Sequence, residues 1–391
     1  RGFPAPPFFG VFNVQDTCSV TDNADPSPET TPPKKTLSRR AQLIGSLLMS
    51  LFSIFCCVGS LELAGYVWEQ RTAQDALGWT LVASRRLKLE QHGPPDSSYY
   101  LMVPHESYNW ENIPVKISSS GFRTDEFEIP KPAGTTRILN LGDSIAFGWE
   151  VRYEETYGKV LEQMLNAQGG VHEVINAGVP AWNPASERNF LLDQGLAYEP
   201  DLVIFDFTTV NDIFGRGPAI SEQTSLFSWL RDHTYFWPFL TTEARFLLSR
   251  QKGPEAIPVL NPPIEARAYF PLDKDNPKYG EIKTVLLEMQ QACEAQGIPF
   301  VLLIFPTALQ VNSSAHPDTP QQVLAELGLE MGFPVVDLTP AYKKICAELG
   351  EHACEGYENE LFVDVWMHPN ALGHQISAEQ LLPVVQELLQ P

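Results

Sequence analysis

From Ala41 to Leu61 the chain runs for 21 residues without a charge, AQLIGSLLMSLFSIFCCVGSL. Inside a bilayer every backbone N–H and C=O must be satisfied within the segment, so a single span can only be an α-helix. At about 1.5 Å per residue the run is long enough for the roughly 30 Å hydrocarbon layer. We read it as one membrane-spanning helix within an anchor covering residues 39–70. A cleaved signal peptide is the alternative; its apolar region usually holds about 7 to 15 residues and ends in an A-x-A-like site, which is not seen here. Lys34, Lys35, Arg39 and Arg40 precede the run, whereas Glu62 and Glu69 follow it with Arg71 the only nearby cation on that side. The positive-inside rule then puts the N-terminal side in the cytoplasm and everything beyond residue 70 in the periplasm or outside the cell. Cys56 and Cys57 read as small apolar residues of the span rather than as lipidation sites.

The segments on either side differ in kind. Residues 1–38 hold seven prolines among Ser, Thr and Asp, too little apolar surface to offset chain entropy, and read as a disordered cytoplasmic tail. The whole chain of 391 residues carries 27 Lys+Arg against 48 Asp+Glu, a net charge of −21, which argues against nucleic acid as a partner. With 43% hydrophobic residues there is ample material for a large core. Six cysteines are too few for a disulfide scaffold, no Cys/His cluster has zinc spacing, and no cofactor is called for. Cys346 and Cys354, eight residues apart, are a candidate disulfide in an oxidising compartment; two free thiols are the equal alternative, with Cys293 a third candidate.

Residues 71–130 show short apolar stretches between Pro and Gly, as in strands and turns, and read as a membrane-proximal lead-in. From 131 to 391 strand and helix alternate. RILNLGDS, HEVINAG, DLVIFDFT, PFVLLIFPT and FPVVDLT read as five strands. EETYGKVLEQMLNA, SERNFLLDQGLAYE, GEIKTVLLEMQQACEAQG and LGHQISAEQLLPVVQELLQ read as helices. Strands that are apolar almost throughout imply an α/β fold, a mostly parallel sheet with helices on both faces. Ligands of such sheets sit beyond the carboxyl ends of the strands.

The chemistry-bearing residues fall at those ends. The first strand ends in Gly142-Asp143-Ser144, the second in Asn176-Ala177-Gly178, the third in Thr208-Thr209-Val210-Asn211-Asp212. Taken singly, each is also an ordinary turn or helix entry. Near the C-terminus stands Asp364-Val365-Trp366-Met367-His368-Pro369-Asn370, followed by Gly373 and His374. An aromatic-rich insertion, Ser225 to Gln251, reads as packed helices covering the sheet, with an acyl-binding wall or a membrane-surface helix as the alternative.

From about Gly121 onward these residues resemble the SGNH hydrolases, also called GDSL-type esterases and lipases. The stretch GFRTDEFEIPKPAGTTRILNLGDSIAFGWEV is similar to the lead-in of bacterial membrane-associated members. Ser144, Gly178, Asn211 and His368 match the family's four name-giving residues, with Asp364 in the place of the acid. The resemblance implies a flavodoxin-like three-layer α/β/α fold and ester hydrolysis, often of O-acetyl groups on carbohydrates or of lipid acyl esters. The family's late block usually reads Asp-x-x-His, and here it is one residue longer. Asp364, Glu360, or a Ser–His dyad steadied by a backbone carbonyl are therefore all open.

In chemical terms, Ser144 is a weak nucleophile until His368 takes its proton, and an acid such as Asp364 would hold the imidazole tautomer. The backbone N–H groups of Ser144 and Gly178 with the Asn211 amide would supply an oxyanion hole. His374, inside the last helix, reads as a surface or capping residue. Three functions fit this reading: a membrane-anchored serine esterase acting on acyl esters or acylated carbohydrate, an O-acyltransferase using the same residues, and a catalytically silent envelope binding module.

Overall fold

The computed structural model describes residues 38–72, 89–110, 113–209, 211–214, 230, 234–237, 240, 272–312, 318–350, 353–354, 360–364 and 367–390. The tail read at 1–38, apart from Ser38, and most of the 225–251 insertion lie outside the described residues. Two compact units divide the chain, Arg1–Val58 and Gly59–Pro391. Apart from Ser38, the described part of the first belongs to helix α1 (Arg39–Thr72). Within α1, Gln42–Val67 is 26 residues long with a mean hydropathy of 2.0 and none of its most apolar window is buried. By length and composition it can cross a membrane, rising about 39 Å.

The second unit opens with two antiparallel hairpins, β1 (Leu89–His92) with β2 (Tyr99–Met102) and β3 (Ser107–Trp110) with β4 (Ile113–Lys116). There follow β5 (Thr135–Gly142), α2 (Ser144–Phe147), α3 (Tyr157–Ala167), β6 (Val171–Gly178), α4 (Pro184–Asp193), β7 (Leu202–Thr208) and α5 (Asn211–Phe214). The rest is α6 (Pro277–Glu294), β8 (Phe300–Phe305), α7 (Ala308–Asn312), α8 (Thr319–Met331), β9 (Val335–Asp337), α9 (Thr339–Leu349) and α10 (Ala371–Leu388). The five strands β5 to β9 pair in parallel in the order β6-β5-β7-β8-β9. This is the flavodoxin-like order, and its switch point lies between β5 and β7, at the carboxyl end of the strand that leads into Ser144.

Alternate side chains of each strand enter opposite cores because successive Cβ atoms point to opposite faces. On one face Leu139, Leu141, Val203, Phe205, Leu302 and Ile304 pack with Phe190 of α4, Leu286 and Met289 of α6, and Leu324 of α8. On the other, Ile138, Ile204, Val301 and Leu303 pack with Leu161 of α3, Tyr342 of α9, and Ile376 and Leu381 of α10. The result is a three-layer α/β/α fold with a wholly parallel main sheet. Tyr99, Leu101, Val115 and Phe122 of the hairpin region join the first core, so the lead-in shares the sheet's packing. Trp182 Nε1 donates to Tyr100 O at 2.7 Å across that seam. Arg137, fully buried at the start of β5, donates to Glu173 (2.6 Å), Tyr198 O (2.6 Å) and Glu128 O (2.8 Å), the partners a buried guanidinium requires.

Candidate active site

Strand β5 stops at Gly142, and Asp143 turns the chain into α2 by accepting from Ile145 N at 2.7 Å, an N-cap on a very short helix. Ser144 is thereby fixed in the first turn, beside the carboxyl end of β6. Gly142 and Gly178 are register partners at the ends of β5 and β6. A side chain at Gly178 would collide with the backbone of Ala146 and Phe147, so only glycine lets α2 lie this close.

The other half of the site comes from the loop before α10. Phe362 and Pro369 form an antiparallel bridge, Val363 N donates to His368 O at 2.9 Å, and Asn370 N donates to Leu361 O at 3.0 Å. Asn370 then caps α10 through Gly373 N at 3.1 Å. The bridge folds the loop back and brings Asp364 and His368 together. Asp364 Oδ1 accepts from the backbone N–H groups of Met367 (2.9 Å) and His368 (3.2 Å), while Oδ2 meets His368 Nδ1 at 2.5 Å. Asp364 and His368 meet although their spacing is one residue longer than Asp-x-x-His. Glu360 is exposed and its N–H donates to Ala353 O; Asp364 is the acid at the ring.

His368 Nε2 lies 2.8 Å from Ser144 Oγ, and both residues are buried. The imidazole thus stands between hydroxyl and carboxylate with one nitrogen on each. Burial opposes its charged form, but the charge and hydrogen bond of Asp364, reinforced by Asp143 and Glu150, outweigh this and hold it above the ordinary histidine value. Trp149 stacks on the same ring, centroids 5.5 Å apart and planes 22° from parallel.

His374 is not at the surface. It is fully buried, stacks on Tyr157, and its Nδ1 accepts from Tyr157 N at 3.1 Å, so it caps α3. Burial pushes it down to about 3, which keeps it a neutral acceptor. Asn211 starts α5 at the carboxyl end of β7; its side chain lies outside the described residues. Asp212 closes that turn by accepting from Thr208 N at 2.6 Å. Asp143, Glu187, Asp206 and Asp212 are all buried here, and burial first, then mutual repulsion for the last three, raises their affinity for protons. Among the described residues no group of three or more His, Cys, Asp or Glu is arranged to hold a metal ion. Upstream of the loop, Cys346 and Cys354 form a disulfide with Cα atoms 5.8 Å apart, and Cys293 is a buried thiol.

A sequence model of the GDSL-like lipase/acylhydrolase family matches residues 141–376, more than half of the chain. The chain belongs to this family. It is a carboxylic ester hydrolase, and the matched stretch takes in Ser144, Gly178, Asn211, Asp364 and His368. Among solved structures, the GDSL-like hydrolase is similar to an acetyl xylan esterase at 16% identity, covering 64% of this chain and 99% of that one with a TM-score of 0.40. It is also similar to the lipase/acylhydrolase from Enterococcus faecalis at 15% identity, covering 66% and 98% with a TM-score of 0.38. A two-domain esterase active on acetylated mannans matches at 16% identity, 66% of this chain and 50% of that one, with a TM-score of 0.39. No curated protein matches the chain.

Sequence reasoning named Ser144, His368 and Asp364, which the structure brings together, and left the acid open between Asp364, Glu360 and a dyad. It did not single out Asp143, whose capping role is legible in Gly-Asp-Ser once that strand is known to feed a helix. Nor did it find Trp149, whose contact with a residue more than 200 positions away leaves no local signal.

Proposed function

We propose that this GDSL-like hydrolase is a membrane-anchored serine esterase acting outside the cytoplasm, on O-acylated saccharides or small acyl esters, through an acyl-enzyme on Ser144. The observation that carries this is the unbroken chain of hydrogen bonds from Ser144 Oγ through His368 to Asp364. His368 Nε2 takes the Ser144 proton as Oγ bonds to the ester carbon and the carbonyl π pair moves to oxygen. Backbone N–H groups of Ser144 and Gly178 and the Asn211 amide receive that oxyanion in this reading. Collapse of the intermediate breaks the ester C–O bond, and the leaving alkoxide takes the proton from His368. Water then repeats the sequence, giving the free acid and restoring Ser144. Throughout, Asp364 holds Nδ1–H and balances the imidazolium charge. The apolar helix and the cations before it support an anchor with the catalytic unit on the far side of the membrane.

Full-length protein in detergent should hydrolyse p-nitrophenyl acetate, and Ser144→Ala should lower kcat by about 10³-fold or more. Equal turnover by the two proteins would remove Ser144 from the mechanism.

A further inference from the structure

The hydrogen bonds to Ser144 and Asp364 fix the imidazole of His368 only within its own plane. A tilt about the line joining the two bonded nitrogens changes neither bond, and among the described residues Trp149 stacks on the ring. Its indole lies nearly parallel to the imidazole at 5.5 Å and is itself buried.

The loop that carries Trp149 is held from behind. Arg123, 2% exposed, donates to Phe147 O at 3.2 Å, Gly148 O at 2.7 Å and Val151 O at 2.9 Å. Gly148 and Glu150 flank Trp149 with φ of 81° and 57°, left-handed conformations that persist when surrounding contacts enforce them. Ile113 and Val115 of β4 line the small space behind the loop, which has no room for water. The lead-in therefore reaches the catalytic base through one arginine, one turn and one indole.

We propose that Trp149 is a positioning residue for His368, keeping the imidazole aligned between Ser144 and Asp364 and stabilising the imidazolium as it forms. An indole face within about 6 Å of a cation attracts it, most strongly where water is excluded. In the competent enzyme the ring of His368 is neutral and gains its charge on taking the serine proton, so the attraction grows toward the transition state and acts on kcat rather than on substrate binding. The proposal rests on His368 being the base.

The test is steady-state hydrolysis of p-nitrophenyl acetate by the full-length protein, with Ser144→Ala run alongside. Trp149→Leu should lower kcat about tenfold with KM changed less than about twofold, while Trp149→Phe should stay within about threefold of the parent. Should Trp149→Leu fail to fold, site-specific replacement of Trp149 by tetrafluorotryptophan keeps the shape and drains the π face, and should lower kcat by a similar factor. Unchanged kcat in the leucine or the fluorinated protein would overturn the proposal. So would a loss shared with KM, which would make the indole a substrate contact. Activity surviving in Ser144→Ala would instead overturn the underlying assignment of nucleophile and base.

Discussion

Asp364 uses one carboxylate oxygen to accept from the backbone of Met367 and His368 and the other to hold the imidazole, so a single residue ties down both the backbone and the ring of His368. Asp364→Asn can keep an acceptor for the two backbone N–H groups but loses the charge, and kcat should fall by about 10³-fold or more while KM changes little. Glu360→Gln, away from the ring, should leave both constants near their parent values; kinetics of the pair decide between the two acids. The same charge sets the pH profile. Because Asp364 holds His368 above its ordinary value, and only the neutral ring accepts a proton, kcat/KM of the parent should fall away on the acid side with an apparent pKa above about 6.5. Residual activity of Asp364→Asn should carry that limb to lower pH. A limb that stays in place would separate it from His368.

At the scale of elements, the five parallel strands were legible because burial on both faces makes them almost continuously apolar, as DLVIFDFT and PFVLLIFPT are. The helices α8 and α9 went unread. In α8, Gly328 lowers helix propensity in mid-element, yet a Cβ there would collide with Val335, so close packing on β9 selects glycine where local preference does not. The meeting of Asp364 and His368 across their loop was also hidden, because it rests on the Phe362–Pro369 bridge and on backbone hydrogen bonds to Asp364, which the sequence pattern does not show. Near that loop, the Cys346–Cys354 disulfide ties the end of α9 to the segment after it. A loop this short is worth about 2 to 3 kcal/mol in the chain-entropy account. Reduction, or Cys354→Ser, should lower Tm by about 3 to 6 °C in thermal unfolding, with free thiols at both positions appearing by intact mass after reductant only. Equal Tm with and without reductant would deny the bond any part in stability.

For the whole molecule, the proposed topology follows from the charge asymmetry around α1. A reporter active only outside the cytoplasm, fused after Pro391, should be active, and a cytoplasmic reporter at the same place silent; the reverse pattern would invert the topology. Sheet order and the loop before α10 then bring the carboxyl end of β5 to a histidine supplied from near the C-terminus, and the account stands on Ser144 being the atom that takes the acyl group. The most direct measurement is treatment of the full-length protein with a fluorophosphonate, followed by intact mass and peptide mapping. One adduct on the peptide containing Ser144, absent in Ser144→Ala, is the result predicted. An active protein that remains unlabelled, or that carries its adduct on another residue, would contradict it.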